Sequence, residues 1–240
     1  MPEHLLPFYK ERHSPIDMLI FHCSALSGKE LLEVLHKYQL SCHYIIDENA
    51  KIIRCISEEL GAFHAGAGLW REKSDINARS IGIEICHSTL GQTAYTPPQI
   101  KALSTLASDI IARHKISPTM VVGHSDIAPL RKADPGLAFP WKELAKQGIG
   151  LWYDLNDCSK IAFSSVQDLL HQIGYNVPDE QSTQAAAYAF CRHFLPQFVH
   201  TDNNIAHLLD NVCPFENSFI QTDIFPKTLQ ATAYKFSTFK

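Results

Sequence analysis

Val121-Val122-Gly123-His124-Ser125-Asp126-Ile127-Ala128-Pro129-Leu130-Arg131-Lys132-Ala133-Asp134-Pro135-Gly136 leaves the chain few folds to choose from. It begins as the end of a β-branched strand, reaches Gly123, and then sets out His124, Lys132 and Asp134 along a proline-punctuated segment. Pro129 and Pro135 push Ala128 and Asp134 towards extended backbone, so a loop rather than a helix is expected, with Lys132 and Asp134 held in a stiff turn. A buried strand that ends in histidine and is followed by a fixed carboxylate has the makings of a metal site. One imidazole and one carboxylate do not complete such a site, so a further ligand must come from elsewhere in the chain.

Other apolar runs supply the frame for that strand. Met18 to Cys23 and Ser80 to Cys86 read as buried strands, the first carrying His22 and the second Glu84 among isoleucines. Cys42 to Ile46 and Lys51 to Ile56 flank Asp47-Glu48-Asn49-Ala50 as a hairpin. Ser27-Gly28-Lys29-Glu30 and Thr96-Pro97-Pro98-Gln99 have the form of capping boxes and open helices to about Tyr38 and His114. From Glu58 to Ala78 periodicity is lost, and a long loop is expected. A short helix follows Phe139-Pro140-Trp141 and ends near Gly148. Alternating strands and helices indicate an α/β fold with a mixed central sheet flanked by helices.

The composition changes past residue 150, and a small three-helix domain is expected over 151–213. Its helices are Ser159 to Ile173, Gln181 to Phe194 and Asp202 to Val212, with an irregular tail over 214–240. The net charge of -4 speaks against a nucleic-acid partner, and no run is long enough to span a bilayer. Residues 1–14 lack the apolar core of a signal peptide. Seven cysteines without a C-x-x-C pair read as buried thiols of a reducing compartment, so the cytoplasm is expected. Removal of a leader would place the protein in the cell envelope instead.

A catalytic zinc site uses three protein ligands and leaves one position open. His124 and Asp134 are two, and His22, at another strand end, is a candidate third among thirteen histidines. Glu84 between isoleucines must be hydrogen-bonded, paired or catalytic, because an isolated buried charge is costly. Lys132, beside Asp134, is suited to stabilising an oxyanion. No H-E-x-x-H helix of a generic zinc peptidase is present.

Four segments carry a family resemblance: Leu19-Ile20-Phe21-His22-Cys23-Ser24, Phe63-His64-Ala65-Gly66, Asn77-Ala78-Arg79-Ser80-Ile81-Gly82-Ile83-Glu84, and Gly123 through Gly136. Together, over roughly residues 16–150, they resemble the zinc-dependent N-acetylmuramoyl-L-alanine amidases, in the branch shared with the peptidoglycan recognition proteins, and a catalytic domain over 1–150 is expected. The resemblance implies one Zn2+ held by His22, His124 and Asp134, with Glu84 as general base and Lys132 as oxyanion stabiliser. It implies cleavage of the amide between N-acetylmuramic acid, or its 1,6-anhydro form, and L-alanine of peptidoglycan stem peptides. His64, Trp70, Arg71 and Asn77 are the candidate contacts to that substrate. His64 stands open between substrate contact and loop packing. The helices after residue 150 are similar to peptidoglycan-binding domains. The alternative within the same branch is a recognition module that binds muropeptide without cutting it.

Overall fold

The computed structural model describes residues 5–199 and 223–239. Its centre is a pair of parallel strands, Met18–Ser24 (β2) and Ser80–Cys86 (β6), aligned with His22 opposite Glu84. Their near-continuous apolar runs suit strands covered on both faces. Val121–Gly123 (β7) adds in parallel on the far side of β2, and Tyr44–Ile46 (β3) adds in parallel to β6. Ile52–Arg54 (β4) closes the sheet antiparallel to β3, giving the order β4-β3-β6-β2-β7. The expected mixed sheet and the 47–50 hairpin are both present. Four strands run the same way, so His22, Glu84 and His124 emerge at one edge, the carboxyl edge where open α/β sheets place their ligands.

Helix Gly28–Lys37 (α1) and helix Pro97–His114 (α3) begin with the capping boxes of Ser27–Glu30 and Thr96–Gln99. Each box satisfies orphan backbone N–H groups reciprocally, which is why these two starts were legible. Trp141–Ala145 (α5) is the short helix expected after Phe139, and Trp141 and Phe139 both pack on Phe21 of β2.

Four expectations need correction. The 58–78 stretch is not wholly irregular: Leu60–Ala62 (β5) pairs antiparallel with Tyr9–Glu11 (β1), and Ile76–Arg79 (α2) forms one helical turn. Elements this short show no period. His124–Ile127 (α4) is also one turn of helix rather than loop. The prolines act only from residue 129 onward, and the Gly123 N–H donates to Asp126 Oδ2 at 2.8 Å, capping the turn. The expected irregular tail contains helix Ile224–Ser237 (α8).

The C-terminal part consists of a 3-10 stretch at Leu155–Lys160, Val166–Ile173 (α6), Glu180–Phe194 (α7) and α8. Helix α6 starts at Val166, six residues after the 3-10 stretch ends and directly after the N-cap Ser165, rather than near Ser159. The helix expected over 202–212 lies outside the described residues. Leu169, Leu170, Phe190, Phe194, Leu229 and Phe236 belong to the same apolar cluster as Phe21, Ile83 and Trp141. The helices and the sheet therefore share one core. Leu31, Leu35, Ile45 and Cys42 form a smaller cluster under α1. Cys23, Cys42, Cys55, Cys86 and Cys158 are free thiols, the first four of them buried.

A buried polar knot ties α3 to the sheet. Glu58 accepts hydrogen bonds from Arg113, from His114 and from the Tyr44 hydroxyl. Burial alone would raise its carboxyl, but the bonds from Arg113, His114 and Tyr44 outweigh burial and hold it at about 2. A carboxyl lowered on folding contributes stability above its unfolded value near 4.3, lost as pH falls through 4 towards 2. With solvent screening at the half-exposed Arg113, the loss expected between pH 6 and pH 2.5 is on the order of 2 kcal/mol. Urea unfolding of wild type and Glu58→Gln across that range checks it: the variant should lack this part of the acid dependence.

Candidate active site

Three side chains converge above the carboxyl edge. His22 Nδ1 lies 2.9 Å from His124 Nδ1, and each is 3.2 Å from Asp134 Oδ2. Among the described residues this is the group of His, Cys, Asp and Glu side chains able to hold a metal ion. The backbone explains the convergence. β2 and β7 are neighbours, so their ends bring the two imidazoles together, and the Ser125 N–H bonded to Asp134 O folds the proline loop back onto α4.

The proton arrangement can be read from the hydrogen bonds. Ser80 Oγ donates to the Ile76 carbonyl at 2.6 Å, so towards His64 Nε2, 3.0 Å away, it accepts. His64 Nε2 therefore carries a proton, and His64 Nδ1 accepts from His22 Nε2 at 2.8 Å. On the other side, His124 Nε2 donates to the Ala65 carbonyl at 3.0 Å. Both ligand candidates are left with a bare Nδ1, and the two lone pairs face each other beside a carboxylate oxygen. Without a cation that arrangement is repulsive. Four-coordinate ligands at about 2.0 Å from zinc stand about 3.3 Å apart, close to the spacing here. The donor set, two neutral imidazoles and one carboxylate, fits zinc.

The local charges agree. Burial, then the neighbouring His124 imidazole, lowers His22 to about 4, keeping it neutral and able to ligate. Burial lowers His64 as well, with His22 adding to it. Asp134 is held well below the usual carboxylate range: burial opposes this, but the imidazoles of His124 and His22 beside it outweigh burial. Glu84, opposite His22 and so on the same face of the sheet, is pushed up to about 8 by burial and then by the Asp134 charge, with Lys132 pulling the other way.

The other expected site residues divide. Asn77 Oδ1 accepts from the N–H groups of His64 and Ala65, so it shapes the loop that carries His64 and the carbonyl receiving His124. Trp70 and Arg71 do not face the metal group. Trp70 is 1% exposed, packs edge-on against Tyr175 and donates its indole N–H to Thr119 O. Arg71 donates to the Ile173 carbonyl and through its backbone to Gly174 O, capping the end of α6. An aromatic and a cation in a glycine-rich loop suggested a groove lining, and the C-terminal helices take both instead. The role of His64 in fixing the His22 ring had one sequence signal, Gly82 in the middle of a strand. A Cβ there would lie 2.5 Å from the His64 ring, and interior strand glycines mark such close approaches.

Residues 12–137 match the family model described as N-acetylmuramoyl-L-alanine amidase. This chain belongs to that family. The amidase is 36% identical over 208 residues to N-acetylmuramoyl-L-alanine amidase AmiD of Escherichia coli (strain K12), covering 75% of each chain. It is 34% identical over 109 residues to the 1,6-anhydro-N-acetylmuramyl-L-alanine amidase AmpD of Enterobacter cloacae, covering 45% of this chain and 57% of that one. In three dimensions it resembles E. coli AmiD in complex with anhydro-N-acetylmuramic acid-L-Ala-D-gamma-Glu-L-Lys, with a TM-score of 0.75 at 30% identity over 94% of this chain and 92% of that one. AmpDh3 of Pseudomonas aeruginosa, in complex with anhydromuramic pentapeptide, gives 0.74 at 30% identity over 92% of each. The likeness to AmiD and AmpDh3 runs beyond the family match into the C-terminal helices. No helix among the described residues is long and apolar enough to cross a membrane.

Proposed function

We propose that the amidase uses one zinc ion, held by His22, His124 and Asp134, to cleave the amide between N-acetylmuramic acid, or its 1,6-anhydro form, and L-alanine of stem peptides. The observation that carries this reading is the pair of bare Nδ1 atoms facing Asp134 Oδ2, each fixed by a hydrogen bond from its opposite nitrogen. The substrate named with E. coli AmiD supports the choice of amide. Zinc bound there would polarise the amide carbonyl and make a water molecule acidic enough to attack near neutral pH. Glu84 takes a proton from the attacking water as the oxygen bonds to the lactyl carbonyl carbon. A carboxyl raised to about 8 is a stronger base than an ordinary one and is matched to that transfer. Lys132 donates a hydrogen bond to the carbonyl oxygen as it gains charge. Glu84 then gives its proton to the alanine nitrogen as the C–N bond breaks, releasing a free stem peptide and a muramic acid carboxylate.

Residues 1–150 form the catalytic part of this reading. The helices beyond are read as a peptidoglycan-binding unit, and a grip on glycan is part of the proposal. The free thiols of Cys23, Cys42, Cys55, Cys86 and Cys158 support a reducing compartment and work on soluble muropeptides; a chain exported to the envelope would meet polymer. Mass spectrometry of products from intact sacculi and from soluble anhydro-muropeptides tests the whole. Free stem peptide from either substrate is the expected result, and muropeptide bound but uncut would make this a recognition protein. His64→Ala should weaken zinc binding by about 10- to 100-fold through loss of the fixed His22 tautomer, measured by chelator competition.

A further inference from the structure

Asp126 lies two residues after His124, on the same turn of helix, and its carboxylate is fully buried. It receives three hydrogen bonds. One comes from the Gly123 backbone, at the junction of β7 and α4. The other two come from the C-terminal helices: the Tyr175 hydroxyl donates to Oδ1 at 2.7 Å, and His193 Nδ1 donates to Oδ2 at 2.9 Å.

These donors look placed for Asp126. His193 is 5% exposed, stacked between Trp141 at 3.8 Å and Phe194 at 4.0 Å. Its Nε2 is buried with no partner among the described residues. A phenylalanine would fill that sandwich without stranding a polar atom, so packing alone does not call for an imidazole; the bond to Asp126 does. Tyr175 follows Gly174, whose φ of +142° ends α6, and its ring also buttresses Trp70. The Trp70 loop is bound at Leu69 N to Ile127 O, at the end of α4. Further back, at Ala65, the same loop supplies the carbonyl that fixes the His124 ring. The helices thus grip α4 directly and also through the loop that orients its histidine.

We infer that Asp126, Tyr175 and His193 form a positioning device, through which the C-terminal helices set the orientation of His124 for the metal. None of the three touches the reacting atoms. Ligand geometry has to be held within about 0.5 Å, and a one-turn helix has too few internal hydrogen bonds to hold itself. The inference rests on the zinc reading above and adds to it a role for the helices in the catalytic centre itself.

The test measures zinc affinity by competition with a chromophoric chelator, thermal unfolding of the metal-free protein, and steady-state kinetics on a soluble anhydro-muropeptide. Tyr175→Phe, which removes one oxygen, and His193→Leu should each weaken zinc binding by about tenfold and lower kcat with KM little changed. His193→Asn places an amide N–H where Nδ1 was and should bind zinc like wild type. Should His193→Leu fail to fold, Tyr175→Phe decides alone. Lower unfolding temperatures with zinc affinity and kcat at wild-type values would make the contacts merely structural and overturn the inference. A wild type that binds no zinc would overturn the metal reading itself, and this inference with it.

Discussion

Glu84→Ala retains zinc and loses roughly 10²- to 10⁴-fold in turnover, the range for removing a positioned general base. Glu84 sits opposite His22 on β6 but forms no hydrogen bond with the ligand cluster, so its loss leaves the three donors where they are. Removing the carboxyl also removes a partly buried acid raised to about 8, which should leave stability unchanged or slightly higher. The measurement is kcat on a defined muropeptide beside metal content by elemental analysis. Wild-type turnover in this variant eliminates Glu84 as base. Loss of zinc along with activity would instead make it part of the metal site. Glu84→Gln separates shape from basicity, since the amide fills the same volume and cannot take the proton.

A second large effect is expected at His22. His22→Ala should bind no zinc at micromolar concentrations and show no activity above background, because two donors do not make a catalytic site. Wild-type protein should be stabilised by added zinc: at a thousandfold excess over the dissociation constant the gain is about 4 kcal/mol, and the variant should show none of it. Differential scanning calorimetry with and without zinc measures both. A variant still stabilised by zinc to the wild-type extent would place the metal elsewhere. His22 also holds His64, which then loses the donor to its Nδ1, so the metal-free variant should be less stable than metal-free wild type by about 1–3 kcal/mol.

Local signals carried much of this architecture. The two capping boxes were visible because each is complete within four residues. The buried strands were visible because both faces of β2 and β6 are apolar, and their chemistry-bearing residues interrupt otherwise unbroken runs. The metal triad needed more, since His22 and His124 are 102 positions apart and thirteen histidines compete for the role. Trp70 and Arg71 were misplaced because the surface they cover is made by α6 and Tyr175, about a hundred residues later. Helix α8 went unseen for a different reason. Its buried face mixes Phe225, Leu229 and Phe236 with Thr228, Ala231, Thr232 and Ala233, and the inward threonines, poor helix formers, interrupt the apolar stripe. Packing against α6 and the 3-10 stretch specifies it instead.

The single core joining sheet to C-terminal helices limits how this enzyme can be shortened. A truncation near residue 150, attractive on the strength of the family match ending at 137, would strip the cover from Trp70 and Trp141 and leave Asp126 a buried acid without two of its three donors. Such a fragment would expose sticky aromatic surface beside its own catalytic edge. Anyone building a minimal amidase from this chain would need to recolour that face with polar side chains before removing a single helix.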